Sequence, residues 1–98
     1  MQLDELEAVL KDRLVNPPEG SYSATLLTDA EQASRKIMEE AYELCVELTR
    51  PCPDADRVSS EAADVLFHVL AGLVGAGVDL DDVMAELARR RAPKEPSA

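Results

Sequence analysis

The sequence predicts an all-α fold, and three observations lead to that prediction. Apolar residues recur at the three- and four-residue spacing of amphipathic helices along most of the 98 residues. No segment alternates apolar and polar residues with the period of two that marks a half-buried strand. Clusters of proline and glycine separate the helical segments, so the chain divides into about four helices.

The first predicted helix covers residues 2–15 and ends at the proline-rich residues 16–20. Proline removes backbone donors and restricts the preceding residue to extended conformations. We interpret residues 21–27 as a connecting segment. A second helix is predicted to begin at Thr28, because Thr28 and Glu31 have the spacing of a capping box, and to end at the next pair of prolines.

A third helix is predicted to begin at Asp54 or Asp56, since either carboxylate can cap it. Apolar residues cover roughly half of its circumference, which indicates a central helix in contact with several neighbours. The Gly-Ala-Gly sequence at residues 75–77 ends it. A shorter fourth helix follows Asp79 and finishes in three arginines, which suit the negative end of a helix dipole.

Residues 1–91 are expected to form one domain, and residues 92–98, with two prolines, a flexible C-terminal tail. A domain of this length buries only about two-thirds of the surface of its unfolded chain, so burial through oligomerisation would help. The two cysteines are expected to be reduced thiols, with Cys45 on the apolar side of the second helix.

The charge balance excludes several partners. The chain has 20 acidic and 10 basic residues and a formal net charge of −10. Such a surface repels nucleic acids and anionic membranes, so neither is expected as a partner. The N-terminus lacks the order of a secretory signal, and the longest apolar run, residues 65–78, is too short to cross a bilayer. We therefore expect a cytoplasmic protein.

Acidic residues follow the apolar stripes of the second and third helices. At about 100° per residue, one wedge of about 60° on the second helix holds four charged residues: Lys36, Glu40, Glu43 and Glu47. On the third helix, Glu61, Asp64 and His68 share a stripe that continues in small residues, which let another helix approach closely.

Two converging acidic stripes would repel each other unless a cation lies between them. Mg²⁺ prefers oxygen ligands and is commonly held by carboxylates together with substrate phosphates. The alternative is a solvated acidic helix face, which is what most acidic runs are. The position of Asp64 inside a strongly apolar helix favours the metal site, because an unpaired carboxylate would be costly there.

Four blocks occur in order along the chain: residues 16–27, 35–43, 61–68 and 77–83. On these blocks the sequence resembles the phosphoribosyl-ATP pyrophosphohydrolase family, a branch of the all-α, MazG-like nucleoside triphosphate pyrophosphohydrolases. The resemblance implies a MazG-like helical bundle completed by dimerisation, hence a homodimer. It also implies hydrolysis of phosphoribosyl-ATP between the α- and β-phosphates, giving phosphoribosyl-AMP and pyrophosphate in the second step of histidine biosynthesis.

The resemblance also implies roles for individual residues. The expected Mg²⁺ ligands are the four acids Glu40, Glu43, Glu61 and Asp64. The catalytic group comprises two of these ligands and an acid close to the metals or to the attacking water: Glu40, Glu43 and Glu39. The basic residues expected to face the phosphates of the substrate are Lys36 and Arg35.

His68 lies four residues after Asp64 and can either contact the substrate or hold a ligand carboxylate, while a packed histidine is the alternative. Two other functions stay open at this point. One is MazG-like hydrolysis of other nucleoside triphosphates, against which the Pro-Pro-Glu-Gly-Ser-Tyr segment at residues 17–22 favours the histidine pathway. The other is a non-catalytic, acidic helical dimerisation module.

Overall fold

A computed structural model describes residues 1–91 of the chain, and the tail predicted for residues 92–98 lies outside the described residues. The described residues form α-helices and no strand, which confirms the all-α prediction. There are five helices: α1 (Leu3–Val15), α2 (Tyr22–Thr28), α3 (Ala30–Leu48), α4 (Ala55–Gly75) and α5 (Leu80–Arg91).

The short helix α2 occupies the segment predicted to be a connection, and that prediction was wrong. The Ser21 side chain caps α2 by accepting from the Ala24 amide at 3.3 Å. Leu26 and Leu27 are 1% and 4% exposed in its last turns. A helix this short is marginal alone, so burial of these two leucines in the core is what stabilises it.

The predicted start of the second long helix was also wrong, by one residue. Asp29, not Thr28, caps α3, and its carboxylate accepts from the Gln32 amide at 3.1 Å. Thr28 is the last residue of α2, and its hydroxyl donates to the Ala24 carbonyl at 3.0 Å. The Thr28 hydroxyl, which was predicted to cap α3, therefore bonds within α2 instead.

Asp54 caps α4, as one of the two predicted alternatives, by accepting from the amides of Asp56 and Arg57. At the other end of α4, a Cβ atom added to Gly75 would lie 2.6 Å from the Leu27 carbonyl oxygen. Glycine is thus required for α2 and α4 to approach each other closely. Gly77 follows with a φ of 76°, which permits the turn into α5.

Helix α4 is central, since it packs against α1, α2 and α3, and its contact with α3 is the most extensive between any two helices. The buried apolar core takes residues from all four: Leu10, Leu26, Leu27, Ala33, Leu70, Ala71 and Val74. Because α3 and α4 lie side by side, the acidic residues on both helices are brought to one region.

The longest apolar run of the sequence covers residues 65–78, which is too short to cross a bilayer. Helix α4 begins earlier, at Ala55, and contains 21 residues. Its mean hydropathy is 1.3 over its most apolar part. By length and composition alone, this helix is long enough to cross a membrane. One such helix is weak evidence, because the core helix of a soluble protein satisfies the same criterion.

Both Cys45 and Cys52 are free and exposed. The expectation of reduced thiols stays a prediction, and Cys45, expected on the apolar side of its helix, is exposed. At this end of α3 even Leu48 is 51% exposed, so apolar spacing overestimates burial there.

Candidate metal centre and active site

Three carboxylates from two helices meet where α3 packs against α4. Glu40 and Glu43 come from α3, and Glu61 comes from the second turn of α4. One oxygen from each lies within 4.8 Å of one oxygen from each of the others. We call these three residues the acidic cluster. Groups this close repel one another when ionised, so a cation between them is stabilising.

Two oxygens of the acidic cluster are buried without any partner. Glu40 is 8% exposed, and the atoms Glu40 Oε2 and Glu61 Oε2 are inaccessible to solvent and accept no hydrogen bond from residues 1–91. An unsatisfied buried carboxylate oxygen is costly, and native structures rarely leave one without an explanation. Carboxylate oxygens are the donor atoms that Mg²⁺ prefers, so these residues fit a bound Mg²⁺ ion.

Lys36 provides the positive charge at the edge of the acidic cluster. Its Nζ atom lies 3.2 Å from Glu39 Oε2 and 3.5 Å from Glu40 Oε1, one turn further along α3. The hydrogen bond to Glu39 raises the pKa of the Lys36 ammonium group above its ordinary value. The partly exposed ammonium group therefore stays charged beside the carboxylates.

His68 is buried under this region, and both of its ring nitrogens have partners. Nδ1 lies 2.6 Å from the backbone carbonyl oxygen of Asp64, and Nε2 lies 2.9 Å from the Tyr22 hydroxyl. A carbonyl oxygen only accepts, so Nδ1 carries a proton, and when Nε2 carries none it accepts from the Tyr22 hydroxyl. The pair joins the first residue of α2 to the acidic part of α4.

The comparison with known proteins decides the family. A family model described as phosphoribosyl-ATP pyrophosphohydrolase matches residues 3–91, which is almost the whole chain. The chain belongs to the phosphoribosyl-ATP pyrophosphohydrolase family.

Individual relatives agree with the family model. A phosphoribosyl-ATP pyrophosphatase of Roseobacter denitrificans is 44% identical over 93% of this chain and 86% of its own length. The Haloarcula marismortui protein of the same name is 41% identical over 91% of this chain and 92% of its own length. A bifunctional histidine biosynthesis protein of Schizosaccharomyces pombe is 42% identical over 87% of this chain, which corresponds to 19% of the larger protein. The resemblance inferred from the four sequence blocks is confirmed, and this member of the family is a pyrophosphohydrolase.

The structure separates the acids that the sequence grouped together. Asp64 is exposed and lies outside the acidic cluster, so the argument that it is a carboxylate inside an apolar environment was wrong. Asp64 is exposed although His68 and Ala71, further along the same side of α4, are buried. Glu47 is likewise outside the cluster, and it pairs with Arg50 at 2.9 Å. The assignment of Asp64 as a metal ligand of this pyrophosphohydrolase stays a prediction.

The other predicted phosphate-binding residue, Arg35, points its guanidinium toward Glu31 at 3.0 Å, and both side chains are mostly exposed. Arg35 thus belongs to an exposed ion pair, from which its guanidinium can move to another anion. Lys36, in contrast, contacts the acidic cluster directly. The substrate-binding roles of Arg35 and His68 in this pyrophosphohydrolase stay predictions.

Two contacts made by Tyr22 and Ser23 were not predicted. One is the hydrogen bond between Tyr22 and His68, and the other runs from Arg13 Nη1 to Ser23 Oγ at 3.0 Å. The Ser-Tyr sequence at residues 21–22 belongs to a block that carries the family resemblance, but nothing local indicated that this segment forms a helix. Arg13 carried no signal, since a basic residue in the last turn of a helix is typical of a helix end.

Proposed function

We propose that this protein hydrolyses phosphoribosyl-ATP to phosphoribosyl-AMP and pyrophosphate, with Mg²⁺ held by Glu40, Glu43, Glu61 and Asp64. Membership of the pyrophosphohydrolase family supports the reaction. The observation that carries the metal site is the pair of buried, unpartnered oxygens on Glu40 and Glu61, which belong to helices that face each other. Asp64 is one turn after Glu61 and exposed, so its carboxylate is available to complete the ligand set.

Bound Mg²⁺ would neutralise the polyphosphate and the charge that develops on the leaving pyrophosphate. The acidic cluster would fix the position of the ion through rigid helices, which hold side chains more precisely than loops do. No nucleophilic side chain is needed, since water attacks the phosphorus atom in line with the leaving group.

Lys36 is the residue that we assign to the phosphates of the substrate. Its ammonium group already lies beside two carboxylates and is only partly exposed. A phosphate could therefore replace Glu39 as its ion-pair partner with little movement of the lysine. Arg35 is the second candidate, and its use requires release of Glu31, which costs little at an exposed ion pair.

Glu39 would bind the attacking water and take its proton. Its carboxylate is half exposed and next to the acidic cluster, and its partner in the free protein is Lys36. When Lys36 turns to a phosphate, the Glu39 carboxylate becomes free to accept from water. His68 would act as a positioning residue, since its two ring nitrogens are occupied by Tyr22 and by the backbone of Asp64.

We also propose a homodimer and a cytoplasmic location. Large apolar side chains stay about half exposed on two helices that meet along one groove: Leu66 on α4, and Met84 and Leu87 on α5. Exposed apolar groups that line a common groove indicate a surface that another protein covers. Sedimentation equilibrium at micromolar concentration is expected to give twice the mass of the chain.

The test of the reaction measures pyrophosphate release from phosphoribosyl-ATP and from ATP, with Mg²⁺ and with a chelator. We expect rapid release only from phosphoribosyl-ATP and only with Mg²⁺. The Glu40→Gln variant keeps the volume and removes a ligand charge, so its rate should fall by at least about 100-fold with the fold intact. Glu47→Gln is the matched control, because Glu47 lies on the same helix face but pairs with Arg50.

Three outcomes would contradict the proposal. Equal rates on ATP would indicate a general nucleoside triphosphate pyrophosphohydrolase. No release from either nucleotide, together with a melting temperature that does not respond to Mg²⁺, would indicate a non-catalytic helical module. Full activity of Glu40→Gln would remove Glu40 from the metal ligands.

A further inference from the structure

Arg13 is a cation with a neutral partner in a strongly acidic protein. Its Nη1 atom donates to Ser23 Oγ at 3.0 Å, and the Ser23 hydroxyl is in turn 3.0 Å from the Ser21 hydroxyl. Ser23 is 3% exposed, and Arg13 is partly buried. The guanidinium thus lies against the Ser23 hydroxyl, which is itself bonded to that of Ser21, where α1 meets α2.

The surroundings of Arg13 differ from those of most other cations in residues 1–91. Six of these have a carboxylate within ion-pair distance: Lys11, Arg35, Lys36, Arg50, Arg89 and Arg90. Arg13 has no such carboxylate within the described chain, although acids outnumber bases two to one. A guanidinium carries several N–H donors in a planar fork, and Ser23 uses only one of them. Arg13 therefore has further N–H donors that bond to no group within residues 1–91.

The segment that Arg13 contacts also contacts the active site. Tyr22 lies between Ser21 and Ser23, and its hydroxyl donates to His68, whose ring is bonded to the backbone of Asp64. Residues 21–23 thus have Arg13 on one side and the catalytic region on the other.

We propose that Arg13, together with the hydroxyls of Ser21 and Ser23, binds the phosphate monoester of the ribosyl group of the substrate. This inference rests on the proposed function. Phosphoribosyl-ATP has two separate anionic ends, a triphosphate and a ribosyl phosphate, and Lys36 and the acidic cluster serve only the first. A guanidinium fork matches a phosphate through two parallel hydrogen bonds, and serine hydroxyls supply further donors.

The inference gives Arg13 a role in substrate selection. An ordinary nucleoside triphosphate lacks the ribosyl phosphate, so it gains nothing from Arg13. A site built to hydrogen-bond a substrate group discriminates strongly against an analogue without that group. Arg13 is thus the residue that separates phosphoribosyl-ATP from ATP, whereas the acidic cluster is common to both.

The kinetic experiment compares the full-length wild type with Arg13→Gln, which removes the charge and keeps hydrogen-bonding ability. We expect the KM for phosphoribosyl-ATP to rise about 10- to 100-fold with kcat within a few-fold. The inhibition constant of ATP should stay unchanged. The matched control is Arg57→Gln, since Arg57 is an exposed arginine in the first turn of α4 and should leave both constants unchanged.

A binding experiment tests the inference without catalysis. Chemical shifts of the ¹⁵N-labelled protein are followed as ribose 5-phosphate is added without Mg²⁺, with ribose as the control ligand. We expect ribose 5-phosphate alone to shift the amides around residues 21–23 in the wild type, and no such shift in Arg13→Gln. If ribose 5-phosphate binds near residues 21–23 but the protein does not hydrolyse phosphoribosyl-ATP, the phosphate site is supported and the proposed reaction is refuted. If the protein hydrolyses phosphoribosyl-ATP but does not bind ribose 5-phosphate there, the phosphate site is refuted.

Other results would also overturn the inference. An equal rise in the KM for phosphoribosyl-ATP and in the inhibition constant of ATP would mean that Arg13 serves the triphosphate or only the fold. An unchanged KM would mean that Arg13 does not touch the substrate. If Arg13→Gln does not fold, Arg13→Lys keeps the charge and loses the fork, and the same selective rise in KM is expected from it.

Discussion

The Tyr22 hydroxyl donates to Nε2 of His68 at 2.9 Å, across 46 residues of sequence. The two rings also meet edge to face, with centroids 5.8 Å apart. His68 is 6% exposed and its other nitrogen is bonded to the Asp64 carbonyl, so Tyr22 provides the only hydrogen bond to Nε2 within residues 1–91. This contact holds the start of α2 against the acidic part of α4.

Removal of that hydroxyl is expected to destabilise the protein. Tyr22→Phe leaves a buried imidazole nitrogen without a partner, and we expect the free energy of unfolding to fall by about 1 kcal/mol. Urea unfolding followed by circular dichroism measures it. Tyr42→Phe is the control, because Tyr42 is 70% exposed on α3, and its effect should stay within about 0.5 kcal/mol. Equal effects of the two variants would show that the Tyr22–His68 bond adds nothing to stability.

The separation of Asp64 from the acidic cluster leads to a second prediction. Glu61→Gln removes one of the repelling charges of the acidic cluster, so the metal-free protein should become more stable by about 0.5 to 1 kcal/mol. Asp64→Asn should change metal-free stability by less than about 0.5 kcal/mol, because Asp64 is exposed.

Both variants should lose the rise in melting temperature that Mg²⁺ gives the wild type, since each removes a ligand charge. Differential scanning calorimetry with and without Mg²⁺ measures both effects. A lower metal-free melting temperature in Glu61→Gln would show that the clustered acids do not repel each other. A normal Mg²⁺ response in Asp64→Asn would exclude Asp64 from the ligands.

A third prediction concerns the contact between α1 and the start of α5. Glu7 Oε2 accepts from the Leu80 amide at 2.7 Å, and Lys11 donates to Asp79 at 2.9 Å. The hydrogen bond to Asp79 raises the pKa of Lys11 above its ordinary 10.5. A cation with a raised pKa in the folded state adds stability that is fully present below the unfolded pKa and is lost as pH rises through the folded pKa.

Lys11→Met should therefore be less stable than the wild type by a constant, small amount between about pH 6 and pH 9. The difference should shrink only above pH 10.5, where Lys11 loses its proton. Urea unfolding at a series of pH values measures it, and Lys11→Arg, which keeps the charge, should not show the loss. A difference that already disappears near neutral pH would show that the ion pair with Asp79 does not stabilise the fold.

Much of the local structure follows from local sequence signals. Helical spacing, the cap at Asp54 and the glycine turn at residues 75–77 predicted three of the long helices closely. The start of α3 was off by one residue, because Asp29 and Thr28 are both good caps and only the presence of α2 decides between them. Helix α2 itself was missed, because its stability comes from leucines buried against other helices and not from its own seven residues.

For the candidate site, the sequence by itself determined which acids share a helix face, because that depends only on spacing along one helix. It thereby placed Glu40 and Glu43 on the same face of α3. Four ordered sequence blocks were enough to predict the family. Only the tertiary structure decided that Glu61 lies beside them while Asp64 stays exposed, that Tyr22 contacts His68 and that Arg13 contacts Ser23. These relationships depend on how helices distant in sequence pack against one another, and no periodicity within a single helix encodes that packing.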